Sequence, residues 1–231
     1  MNTSIVRFTL VQRVEHAATM TLFVALAVTG IPQKFYDQGW AQMMMSWLGG
    51  VDAARWVHRA AGVLFSAVVA IHLGRMVYLV ASGRTTLALV PTRQDFRDAV
   101  TTLRYYLGLS DQQARFDRFD YRQKFEYWGL VLGAAVVVAT GFILLYPATL
   151  TRFLPGEFVP AAQLAHSNEG LMALLVVVVW HIYNAHFNPD VFPFDTSIFT
   201  GKISLERVRH EHPLEYERVV RAEQDQASKI A

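Results

Sequence analysis

His166-Ser-Asn-Glu-Gly-Leu-Met-Ala-Leu-Leu-Val-Val-Val-Val-Trp-His181 decides the fold. Residues 171–180 are apolar throughout, and a histidine stands at each end of the stretch. A titratable ring inside hydrocarbon is costly, so it marks function by default. This stretch belongs to an apolar segment over about Leu164–Phe187, and three more precede it, at about Val14–Ile31, Arg55–Ala81 and Phe125–Tyr146. Each reaches or nears the ~20 residues that a bilayer core requires. Between Trp128 and Tyr146 there is no charged residue. With 53% hydrophobic and 17% charged residues in 231, too little polar surface remains to cover four such helices in water. The sequence predicts an all-α, four-helix transmembrane bundle. Ile31-Pro-Gln-Lys34 follows the first segment where a cleaved leader would carry small residues, so that segment reads as a retained helix.

Lysine and arginine in the connections set the orientation. The connection 82–124 carries Arg84, Arg93, Arg97, Arg104, Arg115, Arg118, Arg122 and Lys124, whereas 32–54 holds only Lys34 among short-loop lysines and 147–163 only Arg152. Arg7 and Arg13 precede the first span; Lys202, Arg207 and Arg209 follow the last. Both termini and the middle connection are expected on the cytoplasmic side of the membrane. The net charge of +2 adds nothing to this, and nothing points to nucleic acid. With zero cysteines the chain itself offers no disulfide, no iron–sulfur ligand and no covalent c-type haem attachment.

Residues 40–48, with Trp40, Met43 to Met45, Trp47 and Leu48, predict a short helix in the outer interface. Residues 93–107 space Phe96, Val100, Leu103 and Leu107 helically among charges and predict an amphipathic helix on the cytoplasmic surface. The chain divides into a transmembrane domain, 1–187, and a cytoplasmic tail, 188–231, rich in proline at first and then charged and helical.

Six of the eight histidines lie in or at the ends of the spans: His16, His58, His72, His166, His181 and His186. At ~1.5 Å and ~100° per residue, His58 and His72 are roughly 21 Å apart and about 40° off a common face, and His166 and His181 roughly 22 Å and about 60°. His58 and His166 fall at the outer level, His72 and His181 at the inner level, and His16 and His186 at the inner edge. Imidazoles from facing helices are axial ligands for haem iron, so the pattern predicts b-type haem at two depths. A zinc or copper site and a histidine proton relay are the competing uses of such residues. Gly62, Gly74 and Gly170, close to histidines, would let a flat macrocycle approach a helix. Arg55 and Arg59 flank His58 and would pair with haem propionates or anchor the interface.

The histidine pattern resembles the cytochrome b (gamma) subunit of membrane formate dehydrogenases and the related cytochrome b anchors of hydrogenases and thiosulfate reductases. The resemblance is carried by Arg13-x-x-His16, His58, His166 and Val179-Trp-His-Ile-Tyr183. A subgroup that accompanies multihaem c-type cytochromes is similar in Leu103-Arg-Tyr-Tyr-Leu-Gly-Leu-Ser110, Asn188-Pro-Asp-Val-Phe-Pro193, Thr200-Gly-Lys202 and Glu211-His-Pro-Leu-Glu-Tyr-Glu217. The resemblance implies an inner haem on His16 and His181 and an outer haem on His58 and His166. His72 and His186 are additional to that pattern. They leave open a His72–His181 inner pair, or a third haem.

A cytochrome of this type exchanges electrons between quinone, such as menaquinone, and a peripheral redox subunit: a multihaem cytochrome c, or an iron–sulfur or molybdenum protein. Quinone chemistry moves protons, so it needs titratable or hydrogen-bonding groups near a haem edge. Glu126, Tyr183 and Asn184 at the inner mouth are the candidates, among neighbours Glu15, Tyr121, Lys124 and Tyr127. Glu169, three residues from His166, is a carboxylate within the fourth span with either a proton-carrying or a structural role. A transporter or proton conductor is the alternative function; it would favour helices broken by proline or glycine, and the four segments as bounded above hold no internal proline.

Overall fold

The structure is a computed structural model and describes residues 3–189 and 191–230. A strand β1 (Ser4–Val6) leads into α1 (Leu10–Lys34), the short α2 (Gly39–Trp47) and α3 (Val51–Ala81). Then come α4 (Arg93–Tyr106), α5 (Tyr121–Leu145), one turn α6 (Pro147–Leu150) and α7 (Phe158–Leu175). The fourth long helix continues past α7 as two π-helical stretches, Val176–His181 and Tyr183–Phe187. α8 (Ser197–Thr200), strand β2 (Lys202–Ser204), α9 (Leu205–Glu211) and α10 (Pro213–Ile230) complete the chain.

Four helices are long and apolar enough to cross a membrane: Leu10–Lys34, Val51–Ala81, Tyr121–Leu145 and Phe158–Phe187. The expected bundle is present, with longer helices. Polar caps explain the added turns. The Thr9 hydroxyl accepts from the Gln12 amide, and Asp120 does the same for Gln123, so each helix starts before its apolar stretch. The longer limits take in Pro32 near the end of α1 and Pro160 in the first turn of α7, where no intrahelical N–H is yet required. Gly49 and Gly50, at φ 87° and 93°, make the reversal from α2 into α3, a conformation only glycine adopts without strain.

α1 packs along α3 and α5 along α7, and the two pairs close a four-helix ring. The ring is hollow. Almost no residue along the four spans is buried, and the interior is one cavity of about 2830 Å3 running the length of the bundle.

The charged tail is not a simple helical extension. β2 pairs antiparallel with β1, setting Ile5 opposite Ile203, and so brings the tail back to the chain start. Gly201, at φ 79°, makes this possible: a Cβ there would lie 2.7 Å from the Phe8 carbonyl oxygen. Arg7, 5% exposed, is the hub of the join. It donates to Glu215 at 2.8 Å, to the Arg118 carbonyl at 2.6 Å and to His212 Nε2 at 3.1 Å. Arg118 returns a bond to the Arg7 carbonyl and another to Glu215. Burial, and then the Arg7 charge, push His212 down to about 4, so its ring is neutral: Nδ1–H donates to the Asp117 carbonyl and Nε2 accepts from Arg7. Arg218 in turn holds the Asp117 carboxyl below its ordinary range. N-terminus, middle connection and tail thus form one cap over the end of the bundle that carries both termini.

Candidate functional site: two facing histidine pairs

The cavity is lined at one end by His58 and His166 and at the capped end by His16 and His181. His58 (α3) and His166 (α7) face each other with ring centroids 6.1 Å apart and planes at 81°. His16 (α1) and His181 have centroids 6.2 Å apart and planes at 38°. A metal–imidazole bond is about 2 Å, so two rings on opposite sides of one iron set their centroids roughly 6 Å apart.

What stands behind each ring fixes its tautomer. The single proton of Thr29 Oγ1 goes to the Ala25 carbonyl at 2.7 Å, so that oxygen accepts from His58 Nδ1–H at 3.0 Å. His166 Nδ1–H donates to the Val137 carbonyl at 3.0 Å, with Thr140 Oγ1 at 3.1 Å; Thr140 spends its own proton on the Val136 carbonyl. His181 Nδ1–H donates to the Glu126 carboxylate, and that side chain is 13% exposed. In all three rings Nε2 has no hydrogen-bond partner among the described residues and stands open to a metal. His16 makes no hydrogen bond among the described residues.

Small residues make room. A Cβ on Gly30 would lie 2.8 Å from His58 Cε1, and one on Gly141 3.2 Å from His166 Cε1. Gly62 and Gly170 line the cavity, with only Leu26 within 4 Å of Gly62 and nothing within 4 Å of Gly170, so both open onto the void. Gly74 does not line the cavity, and its expected part in a close approach finds no support. Thr29-Gly30 and Thr140-Gly141 are the same dipeptide on the first and third spans, and neither was picked out among the candidate residues; the repeat itself was the available signal.

His72 is placed differently. Its Nδ1 is hydrogen-bonded to the Glu15 carboxylate at 3.1 Å and its Nε2 to the Tyr127 hydroxyl at 3.1 Å. Glu15 is also held by both arms of Arg75, at 2.6 and 2.5 Å. His186 stacks on Phe194 with centroids 4.0 Å apart and planes 2° from parallel, and its Nδ1 is buried without a partner. Arg55 and Arg59 line the cavity near His58 and make no ion pair among the described residues. Of the quinone candidates, Glu126 and Asn184 line the cavity, with Asn184 Nδ2 donating to the Trp180 carbonyl. Tyr183 is 50% exposed and lies outside the lining. Lys124 is spent on Asp95 of α4, at 2.7 and 2.9 Å, and so anchors that helix. Glu169 lies against Gly133: a Cβ there would be 2.5 Å from its Oε1. Among the described residues no three His, Asp or Glu side chains converge to cage an ion; the histidines meet in pairs, the donor set of a macrocycle that supplies the remaining ligands itself.

Facing imidazole pairs at two depths of a hollow four-helix bundle are an arrangement that can accept a flat, iron-bearing macrocycle between the rings. Residues 7–192 match the family model described as prokaryotic cytochrome b561, and the chain belongs to that family. Membership implies b-type haem and electron transfer in a bacterial membrane. The chain is 24% identical over 219 residues to the cytochrome b556(fdo) subunit of formate dehydrogenase from Escherichia coli (strain K12), covering 94% of this chain and 93% of the relative. It is 21% identical over 219 residues to the nitrate-inducible formate dehydrogenase cytochrome b556(Fdn) subunits of Escherichia coli (strain K12) and Shigella flexneri, covering 95% and 93%.

Proposed function

We propose that this chain is the membrane electron-carrying subunit of a quinone-linked oxidoreductase and holds two b-type haems. His58 and His166 ligate one, and His16 and His181 the other. The observation that carries this reading is the pair of 6 Å ring separations at two levels of one cavity, with Nδ1 engaged and Nε2 free in three of the four rings. When bound, the haems supply one-electron chemistry at two depths.

His72 is bonded through both nitrogens and His186 is stacked on a phenylalanine, which favours two haems over three and His16 over His72 as the partner of His181. The bias of arginine and lysine puts the capped end on the cytoplasmic side of the inner membrane. The His58–His166 level is then the outer one, where Arg55 and Arg59 are positioned to pair with propionates. The tail, 188–231, acts as a cytoplasmic cap on the 1–187 bundle. Quinone, of the menaquinone kind, reacts beside the inner level near Glu126 and Asn184; Tyr183, outside the cavity lining, has no support for a share in it. The curated relatives are subunits of formate dehydrogenases, which supports a peripheral redox partner here. The candidates remain a multihaem cytochrome c, or an iron–sulfur or molybdenum subunit.

A reduced-minus-oxidised visible spectrum of the purified chain tests the reading. Two haems per chain, extractable by acid–acetone, are expected. A folded, colourless native preparation overturns it, and proton flux through such a preparation would establish the histidine-relay alternative.

A further inference from the structure

Two histidine levels of equal ring spacing differ in the charge behind them. At the outer level both Nδ1–H groups donate to neutral oxygens: the Thr29 hydroxyl, and the Val137 carbonyl beside the Thr140 hydroxyl. At the inner level His181 donates to a carboxylate. We infer that Glu126 is a positioning residue that holds the inner haem at a lower reduction potential than the outer one. This rests on the bis-histidine reading above.

A carboxylate accepting Nδ1–H makes Nε2 more basic and orients the ring. A more basic axial nitrogen, with a negative charge close behind it, favours the ferric over the ferrous state; second-shell hydrogen bonding and charge are among the levers a protein holds over haem potential. Glu126 is well placed for this because its charge is little screened and little compensated. Its side chain is 13% exposed, and among the described residues its one polar side-chain partner is His181. Two cations of the capped half pair with other carboxylates: Arg75 with Glu15, and Lys124 with Asp95. The outer level has the opposite balance. Arg55 and Arg59 carry no carboxylate partner among the described residues, and Lys34 donates to the neutral Ser167 and Asn168. Arginines paired with the propionates cancel negative charge that would otherwise favour the ferric state, so both ends push the two potentials apart in the same sense. A single electron given to the pair then rests at the outer level.

A redox titration of the purified, haem-loaded chain at one fixed pH, followed in the visible spectrum and by low-spin electron paramagnetic resonance, tests this. Two midpoints are expected, and the lower must disappear in His16→Ala. Glu126→Gln keeps an oxygen that can accept Nδ1–H and removes the charge. It should raise the lower midpoint and leave the upper unmoved, while Glu126→Asp restores the native value. The inference is overturned by unmoved midpoints in Glu126→Gln with both haems bound. It is equally overturned by assignment of the lower midpoint to the haem lost in His58→Ala, or by loss of the inner haem from both Glu126 variants. An unmutated chain without haem would instead overturn the reading on which the inference rests.

Discussion

The opposite and the capped halves of the bundle use the same ring pair and support it in different ways. In the opposite half the support is doubled: a Thr-Gly dipeptide on α1 receives His58, and a Thr-Gly dipeptide on α5 receives His166, each threonine accepting Nδ1–H and each glycine clearing space for the ring. The half is close to a two-fold repeat in which α1–α3 and α5–α7 play equivalent parts. In the capped half the equivalence is gone. His16 has no hydrogen-bonded support, His181 has a carboxylate, and polar networks through Arg75, Glu15, His72 and Tyr127 tie three helices together beside them. The symmetric half offers two matched ring supports, and the asymmetric half carries titratable groups of the kind that chemistry with protons requires.

The comparison breaks most sharply on the ligands themselves. His58→Ala or His166→Ala should each remove the same haem, lowering the count from two to one per chain, and His16→Ala or His181→Ala should each remove the other. His72→Ala should leave the count at two; a pyridine haemochrome assay on membranes decides, and loss of a haem with His72 would return that residue to the ligand set. Next in size is acid. His212 ordinarily titrates near 6.5 and is pushed down to about 4 in the cap, so the unfolded ring takes up its proton at higher pH than the folded one. The neutral ring's contribution is whole above pH 6.5 and is lost as pH falls toward 4, about 3 kcal/mol in all at ~1.36 kcal/mol per unit. Hydrogen-exchange protection factors in 202–216, corrected for the intrinsic rate at each pH, should therefore fall across that window while those around His58 hold. His212→Gln, which has no such titration, should flatten the response.

Gly30→Val tests the doubled support by overpacking. The new side chain meets His58, and a cost of ~1–3 kcal/mol corresponds to roughly tenfold to hundredfold weaker retention of the outer haem. Haem transfer to an apoprotein acceptor measures it, and equal loss from both levels would refute the placement. The smallest effect is on the threonines. Thr140→Val leaves His166 the Val137 carbonyl, whereas Thr29→Val takes from His58 its side-chain acceptor; the second should cost about 1 kcal/mol and the first less. Equal thermal shifts in the two variants would show that the repeat is more exact than the hydrogen bonds suggest.

Much of this was legible in the residues. Four apolar runs declare four spans, and the spacing of 14 and 15 between histidines declares two levels. The helix limits were drawn too short because apolarity was followed, whereas the caps at Thr9 and Asp120 begin the helices in polar sequence. His72 shares a level with His181, but rotation about α3 turns it onto Glu15 and Tyr127, and sequence spacing does not resolve that choice. The fourth span holds the clearest instance of what sequence hides. At α-helical pitch His166 and His181 stand about 60° off one face. Turns that close i to i+5 rotate less per residue, so the π-helical stretch Val176–His181 takes out that excess and leaves both rings on the cavity. Four consecutive valines give no sign of it. The strand pair β1–β2 was equally silent, being three residues long and dependent on a partner almost two hundred residues away.

The cap also has a consequence in time. Arg7 leaves the ribosome 208 residues ahead of its partner Glu215. At ~5–20 residues per second the interval is roughly 10–40 s. Throughout it the four spans are made one after another while the mouth of their cavity, lined by Arg7, Phe116 and Phe119, lacks the tail that carries His212. If the His16–His181 level holds a haem as proposed, its pocket stands open to loading throughout that interval, and synthesis of the tail closes it. A chain stopped before Lys202 should bind the same pigments and surrender the inner one faster; if it holds both as long as the full chain does, the tail closes nothing.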